Sequence, residues 1–265
     1  MGKYLLFLSN RLQTVLQYRV GFLMMIVTNV FLILAKYFLW QAMYSAEGKL
    51  QIAGFSLDEM VLYVLVSSLV YLLIQTNIEH EIAREVMQGE IAVNLIRPVN
   101  YLLQKFFISL AYFITNFLFV VVPLILLATI FFPFGSILSY HWIPLSVGIL
   151  LAFVINFFFS AFSGLIAFWT TNTWGFQMLK LSLISFLSGW IIPLDFFPEY
   201  LAKIASILPF KSLVYDPVMI FLGKAGDFNA VAILLLKQGI WLALFSAFGL
   251  LMWNRGIRKI SILGG

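Results

Sequence analysis

Few residues in this chain could carry out acid–base or nucleophilic chemistry. There are two histidines, His80 and His141, and no cysteine. His80 stands between Glu79 and Glu81, but no serine is near it in sequence, so a nucleophile–base–acid set is not legible there. The two histidines fall on opposite predicted sides, which leaves no paired-histidine metal site. The GxxxxGK[ST] phosphate loop, the GxSxG elbow and HExxH are all missing from the sequence. No catalytic residue, metal ligand or cofactor site is expected in the chain itself.

The charges that exist are concentrated. Glu79, Glu81, Glu85 and Glu90 lie with Arg84 and Arg97 around Ile82, Val86, Ile91 and Leu95. The spacing predicts a helix over Glu79–Arg97 with one apolar and one acidic side. Gly89 is expected to bend it, and Pro98 to stop it. Two readings are open. The segment rests on a membrane as a solvated helix, or it docks into a groove on a soluble partner. Its acidity suits a protein surface better than anionic lipid.

What must position this segment is lipid-embedded. Of 265 residues, 63% are hydrophobic and 10% charged, and the mean hydropathy is +1.02. A water-soluble fold carries about 25% charged residues. Six stretches are long and apolar enough to span a bilayer: 21–40, 60–78, 106–132, 143–169, 174–192 and 230–253. They are continuously apolar, so helices are expected rather than strands. The fold class is therefore all-α, a polytopic membrane protein with six transmembrane helices in a single domain, 1–265. All six arginines (Arg11, Arg19, Arg84, Arg97, Arg255, Arg258) fall on one predicted side. Both ends are then cytoplasmic, and the net charge of +5 reads as basic loops facing anionic lipid, not nucleic-acid binding. Trp40, Trp142 and Trp190 are expected at outer interfaces, and Trp169, Trp174 and Trp253 at inner ones.

Residues 1–20 contain no uninterrupted apolar run of a cleavable signal. They read as an amphipathic interfacial helix, with Leu5, Leu8, Leu12, Val15 and Leu16 on one face and Arg11 mostly elsewhere. Residues 193–229 form an outer loop too apolar to be solvated, and one or two short re-entrant or capping helices are expected there. Only Lys36, Lys180 and Lys237 intrude on the spans. The simpler reading is that they snorkel; the sharper is a cation facing a substrate path. No span carries a carboxylate in its core, which argues against ion-coupled transport.

Glu85-Val86-Met87-Gln88-Gly89-Glu90-Ile91 followed by Leu95-Ile96-Arg97-Pro98 resembles a signature of type-2 ATP-binding-cassette exporter permeases. Gly189-Trp190-Ile191-Ile192-Pro193-Leu194-Asp195-Phe196-Phe197-Pro198, Leu208-Pro209-Phe210, Tyr215-Asp216-Pro217 and the terminal Gly264-Gly265 agree with it. The resemblance spans essentially the whole chain. It implies a coupling helix between spans two and three, pairing with a second copy or a paralogue, and cytoplasmic ATPase subunits that bind ATP and magnesium. It implies an ATPase contact through Glu79, Glu81, Glu85, Gly89 and Arg97, with Glu85 and Arg97 foremost. By the same analogy Ser67, Ser68, Tyr71, Gln75, Ser182, Ser185 and Ser188 are candidates for lining a cavity, against a simpler reading as helix packing. Asn156, Ser160, Ser163 and Gly164 are expected to pack. An uncharged interior suits an amphiphilic cargo such as a lipid, peptide or drug-like molecule. A non-transporting membrane scaffold and a lipid-modifying enzyme are the alternatives.

Overall fold

The computed structural model describes residues 2–17, 19–131 and 142–259. His141 and Gly264-Gly265 lie outside them. Twelve α-helices are described, with one two-stranded hairpin, β1 (Gln51–Ile52) and β2 (Phe55–Ser56). They run α1 (Gly2–Leu16), α2 (Arg19–Glu47), α3 (Leu57–Ile74), α4 (Ile78–Met87), α5 (Glu90–Ile96) and α6 (Tyr101–Asn116). A π-helical turn, Phe117–Val121, joins α6 to α7 (Val122–Phe131). Then come α8 (Trp142–Leu165), α9 (Trp174–Leu187), α10 (Glu199–Ile207), α11 (Tyr215–Phe221) and α12 (Phe228–Ile257).

Five helical runs among the described residues are long and apolar enough to cross a membrane: Val20–Glu47, Leu57–Met87, Tyr101–Ile130, Trp142–Phe168 and Phe228–Ile257. The expected fifth span is the apolar α9, of 14 residues. At 1.5 Å per residue it reaches about 21 Å, less than a typical hydrocarbon core. It stops at Ser188 because Gly189 takes a φ of 81°.

Local signals explain the boundaries. Ser56 and Glu59 form a reciprocal capping box that starts α3. Asn100 caps α6 and Asp227 caps α12. Gly89, at φ 74°, separates α4 from α5, and α5 ends as Arg97 turns extended ahead of Pro98. Pro123 lacks the N–H that a regular helix would present to Phe119, and the π turn lies at this point.

The core has two main bodies. One holds Trp40, Tyr63, Tyr71, Phe153, Val214, Tyr215 and Val218. The other lies at the arginine-bearing end, with Ile78, Ile82, Ile91, Tyr101, Phe157, Leu165 and Trp253. α3 and α8 are interior, whereas α2 presents Leu23, Phe31 and Phe38 outward, as a lipid-facing helix would. The apolar 193–229 segment folds into two short α-helices: α10 stays peripheral, and α11 enters the core beside α8.

One expectation needs correction. Trp40 is buried against Phe196, Trp190 stacks on Tyr71 and Trp253 stacks on Tyr101; these indoles pack rather than anchor, while Trp142, Trp169 and Trp174 are exposed. Arg11 lies on the packed face of α1, because Tyr112 accepts its hydrogen bond and Glu81 stands 4.0 Å away. Leu5, on the leucine face, is exposed, as a side chain turned toward lipid would be.

Candidate functional site

The acidic segment presents one of its four carboxylates, Glu90, to solvent. Lysines from two other helices reach three of them. Lys180 of α9 lies 2.5 Å from Glu79 Oε1 and donates to Ser160 Oγ at 2.8 Å. Lys105 of α6 donates to Glu81 Oε1 at 2.7 Å and to Glu85 Oε1 at 2.6 Å. Tyr101 gives its hydroxyl proton to Glu85 Oε2 at 2.6 Å, and its ring stacks on Trp253 at 4.6 Å. Buried ions demand such partners, since an unpaired one costs several kcal/mol. The snorkelling expectation for Lys180 is overturned by this pairing. Lys36 also has a partner, donating to Trp190 O at 2.9 Å. Lys237 is exposed on α12.

Close packing brings Glu79 under α8. A Cβ on Gly164 would come within 2.8 Å of Glu79 O and 2.9 Å of Ile82 Cβ. Gly164 therefore admits α4, as the packing reading of span four expects. What that reading missed is that Ser160 serves the Lys180 pair and Asn156 caps a broken helix.

The break is at residues 75–77. Gln75 is extended, with ψ 134°, so the last carbonyls of α3 lose their helical partners. Two asparagines from neighbouring helices replace them. Asn116 donates to Leu72 O at 3.2 Å, and Asn156 donates to Ile74 O at 2.6 Å. Clefts lie on both sides of the break. One, of about 230 Å³, takes Tyr71, Thr76, Glu79, Asn156, Lys180 and Leu181 among its walls. The other, of about 320 Å³, lies toward Phe22 and Tyr112. Gln75, Thr76 and Asn77 line both.

The residues singled out from sequence are therefore scattered. Tyr71 and Gln75 line the first cleft. Ser67 and Ser68 are buried and bond back to Val64 O. Ser182 is exposed and Ser185 half-buried. Ser188 is buried, and its carbonyl accepts from Tyr215 N at 2.9 Å. Gly89 and Arg97 are exposed; Glu79 and Glu85 are buried. His80 is exposed at the first cleft. Thr76, Lys105 and Asn156 were missed as site residues, because their roles depend on contacts remote in sequence.

The stretch 189–198 is a packing knot at the other end. Tyr63 donates to Gly189 O at 2.7 Å. Tyr215 donates to Asp195 at 2.8 Å; burial, then the Asp195 carboxylate, push its phenol well above the ordinary value.

These features define a multi-pass helical membrane protein with a polar break in its second span. Among the described residues, no cluster of three or more histidine, aspartate or glutamate side chains could hold a metal. Residues 30–264 match the family described as "ABC-2 family transporter protein", and the chain belongs to that family. It is a membrane permease of an ATP-binding-cassette transporter. The family is normally the non-enzymatic membrane component, working in general with an ATP-binding-cassette subunit. No match was found among curated proteins.

Proposed function

We propose that this permease is the membrane half of an exporter that moves an amphiphilic cargo out of the cytoplasm, with ATP and magnesium bound by a separate ATPase subunit. Its arginine-bearing end faces the cytoplasm of a bacterial plasma membrane, so that both termini are inside. It works as a pair, with a second copy or a paralogue.

The observation that carries this reading is the turn between α4 and α5. Met87, Val93 and Ile96 are apolar yet 50%, 59% and 84% exposed. They surround exposed Gly89, Glu90 and Arg97, at the same end as the arginines. An apolar patch with a charged rim suits a protein partner. Gly89 and Arg97 are assigned to the ATPase contact. Glu79, Glu81 and Glu85 act behind it, holding α4 to α9 and α6.

The same geometry suits force transmission. Residues 78–116 lie between the break at 75–77 and the π turn at Phe117–Val121. Lys105 ties α4 to α6 inside that stretch. A push on the Gly89 turn is then carried by α4, α5 and α6 to the two irregular joints, and through the Glu79–Lys180 pair and the Gly164 contact to α9 and α8.

The test is co-purification. The wild-type permease should hold its ATPase subunit and raise or lower its ATP turnover, whereas Ile96→Asp should release it while inserting normally. Retention by Ile96→Asp, together with no effect of the permease on ATP turnover, would contradict the proposal.

A further inference from the structure

The second cleft, of about 320 Å³, is walled without a formal charge. Among the described residues no aspartate, glutamate, lysine or arginine lines it. Arg11, which bonds to Tyr112 of that wall, is answered by Glu81 at 4.0 Å.

The polar groups of the wall are open and largely unused. Tyr112 and Asn116 are four residues apart on α6, so they stand side by side on one face, and both line the cleft. Asn116 Nδ2 donates to Leu72 O, which fixes the amide's orientation. Its Oδ1 is an acceptor that the described residues neither bond nor enclose. Tyr112 Oη accepts from Arg11 and keeps its own proton to give. Across from them lies Asn77, exposed at the start of α4, whose side chain makes no capping bond. Donors and acceptors are thus mixed in one small, neutral space.

Depth is set by Val15, near the end of α1, and Phe22, near the start of α2. Both belong to the arginine-bearing end, where the proposed topology puts the headgroups of the inner leaflet. With Met25 they supply the apolar part of the wall.

We propose that this cleft binds an uncharged, hydroxyl-rich headgroup, a sugar or other polyol carried by an amphiphile. Each hydroxyl donates and accepts at once, so a ring bearing several meets two amides and a phenol together. A phosphate brings charge and only acceptors, with no cation on the wall to meet it. A quaternary ammonium brings charge and no donor. Taking either charge out of water without a partner is unfavourable. A volume of about 320 Å³ is at the small end of ligand pockets and suits one sugar ring. The proposal names a headgroup chemistry for the exporter reading, on which it rests for membrane depth and transport role.

The test uses the purified full-length chain in phosphatidylcholine nanodiscs, without ATPase or nucleotide. Titration with n-hexyl glucoside should give one saturable site by calorimetry. Hexanol, hexyl phosphate and hexyltrimethylammonium should give none. Asn77→Ala should weaken hexyl glucoside about fivefold, the effect of one neutral hydrogen bond; the Asn77 side chain makes no capping bond, so this variant is expected to fold. Met25→Trp, which fills the second cleft, should abolish binding, whereas Met178→Trp, in the wall of the first, should leave it unchanged. Displacement by glucosyl diacylglycerol in the disc assigns a lipid headgroup; displacement by glucose assigns a free sugar. Equal binding of hexanol or of either charged probe, or unchanged binding by Asn77→Ala, overturns the proposal. Loss of ATPase co-purification leaves these titrations untouched, so the two readings fail separately.

Discussion

Lys105 Nζ lies 2.6 Å from Glu85 Oε1, with the lysine side chain 1% exposed. Glu79, Glu81 and Glu85 are thus paired within the bundle, and the surface left for the proposed partner is the apolar turn beyond them. Removing one member of such a buried pair strands the other. Lys105→Met should lower stability by ~3–5 kcal/mol, read as a large drop in melting temperature in detergent. A melting curve like wild type would show that the pair is not buried.

The Glu79–Lys180 pair allows a stricter experiment. Lys180→Met alone should be strongly destabilising, by a similar amount. Combining it with Glu79→Gln should recover most of the loss, because no charge is then left without a partner. Additive losses in the double variant would contradict the contact.

Packing at Gly164 predicts a third result. Gly164→Ala places a methyl against the backbone of Glu79, which cannot swing aside as a side-chain tip would. It should cost ~1–3 kcal/mol, and Gly164→Val more. Ser67→Ala, which removes only a bond back to Val64 O, should change the melting point little. Equal melting of the two alanine variants would contradict the close approach of α4 to α8.

Much of this was legible in the sequence, and the reasons are physical. Span positions follow from continuous apolar runs, which local composition reports directly. Gly89 and Pro98 broke the segment where expected, because backbone restrictions belong to single residues. The fate of Glu79 and Glu85 was not legible. Lys180 is 101 positions from Glu79 and Lys105 is 20 from Glu85, and no helical periodicity links them. Asn156 looked like a packing residue, because only the break at Gln75, itself invisible in an apolar run, gives it a carbonyl to cap. The serines of α3 misled for the opposite reason: a buried hydroxyl on a helix satisfies itself on the preceding turn.

Orientation is open to direct measurement. The chain has no cysteine, so single cysteines report cleanly. Leu50, beside the hairpin at the end away from the arginines, is 93% exposed, and Ile96 is 84% exposed. In intact cells a membrane-impermeant maleimide should label Leu50→Cys and spare Ile96→Cys. The reverse pattern would invert the proposed topology.

The most direct test of force entering through the turn after α4 is crosslinking at that turn. Ile96→Cys, fitted with a short photoactivated crosslinker, should attach to the ATPase subunit in membranes, with a yield that changes when ATP is added. Leu50→Cys treated alike should not attach. Attachment at Leu50→Cys with none at Ile96→Cys would contradict the account.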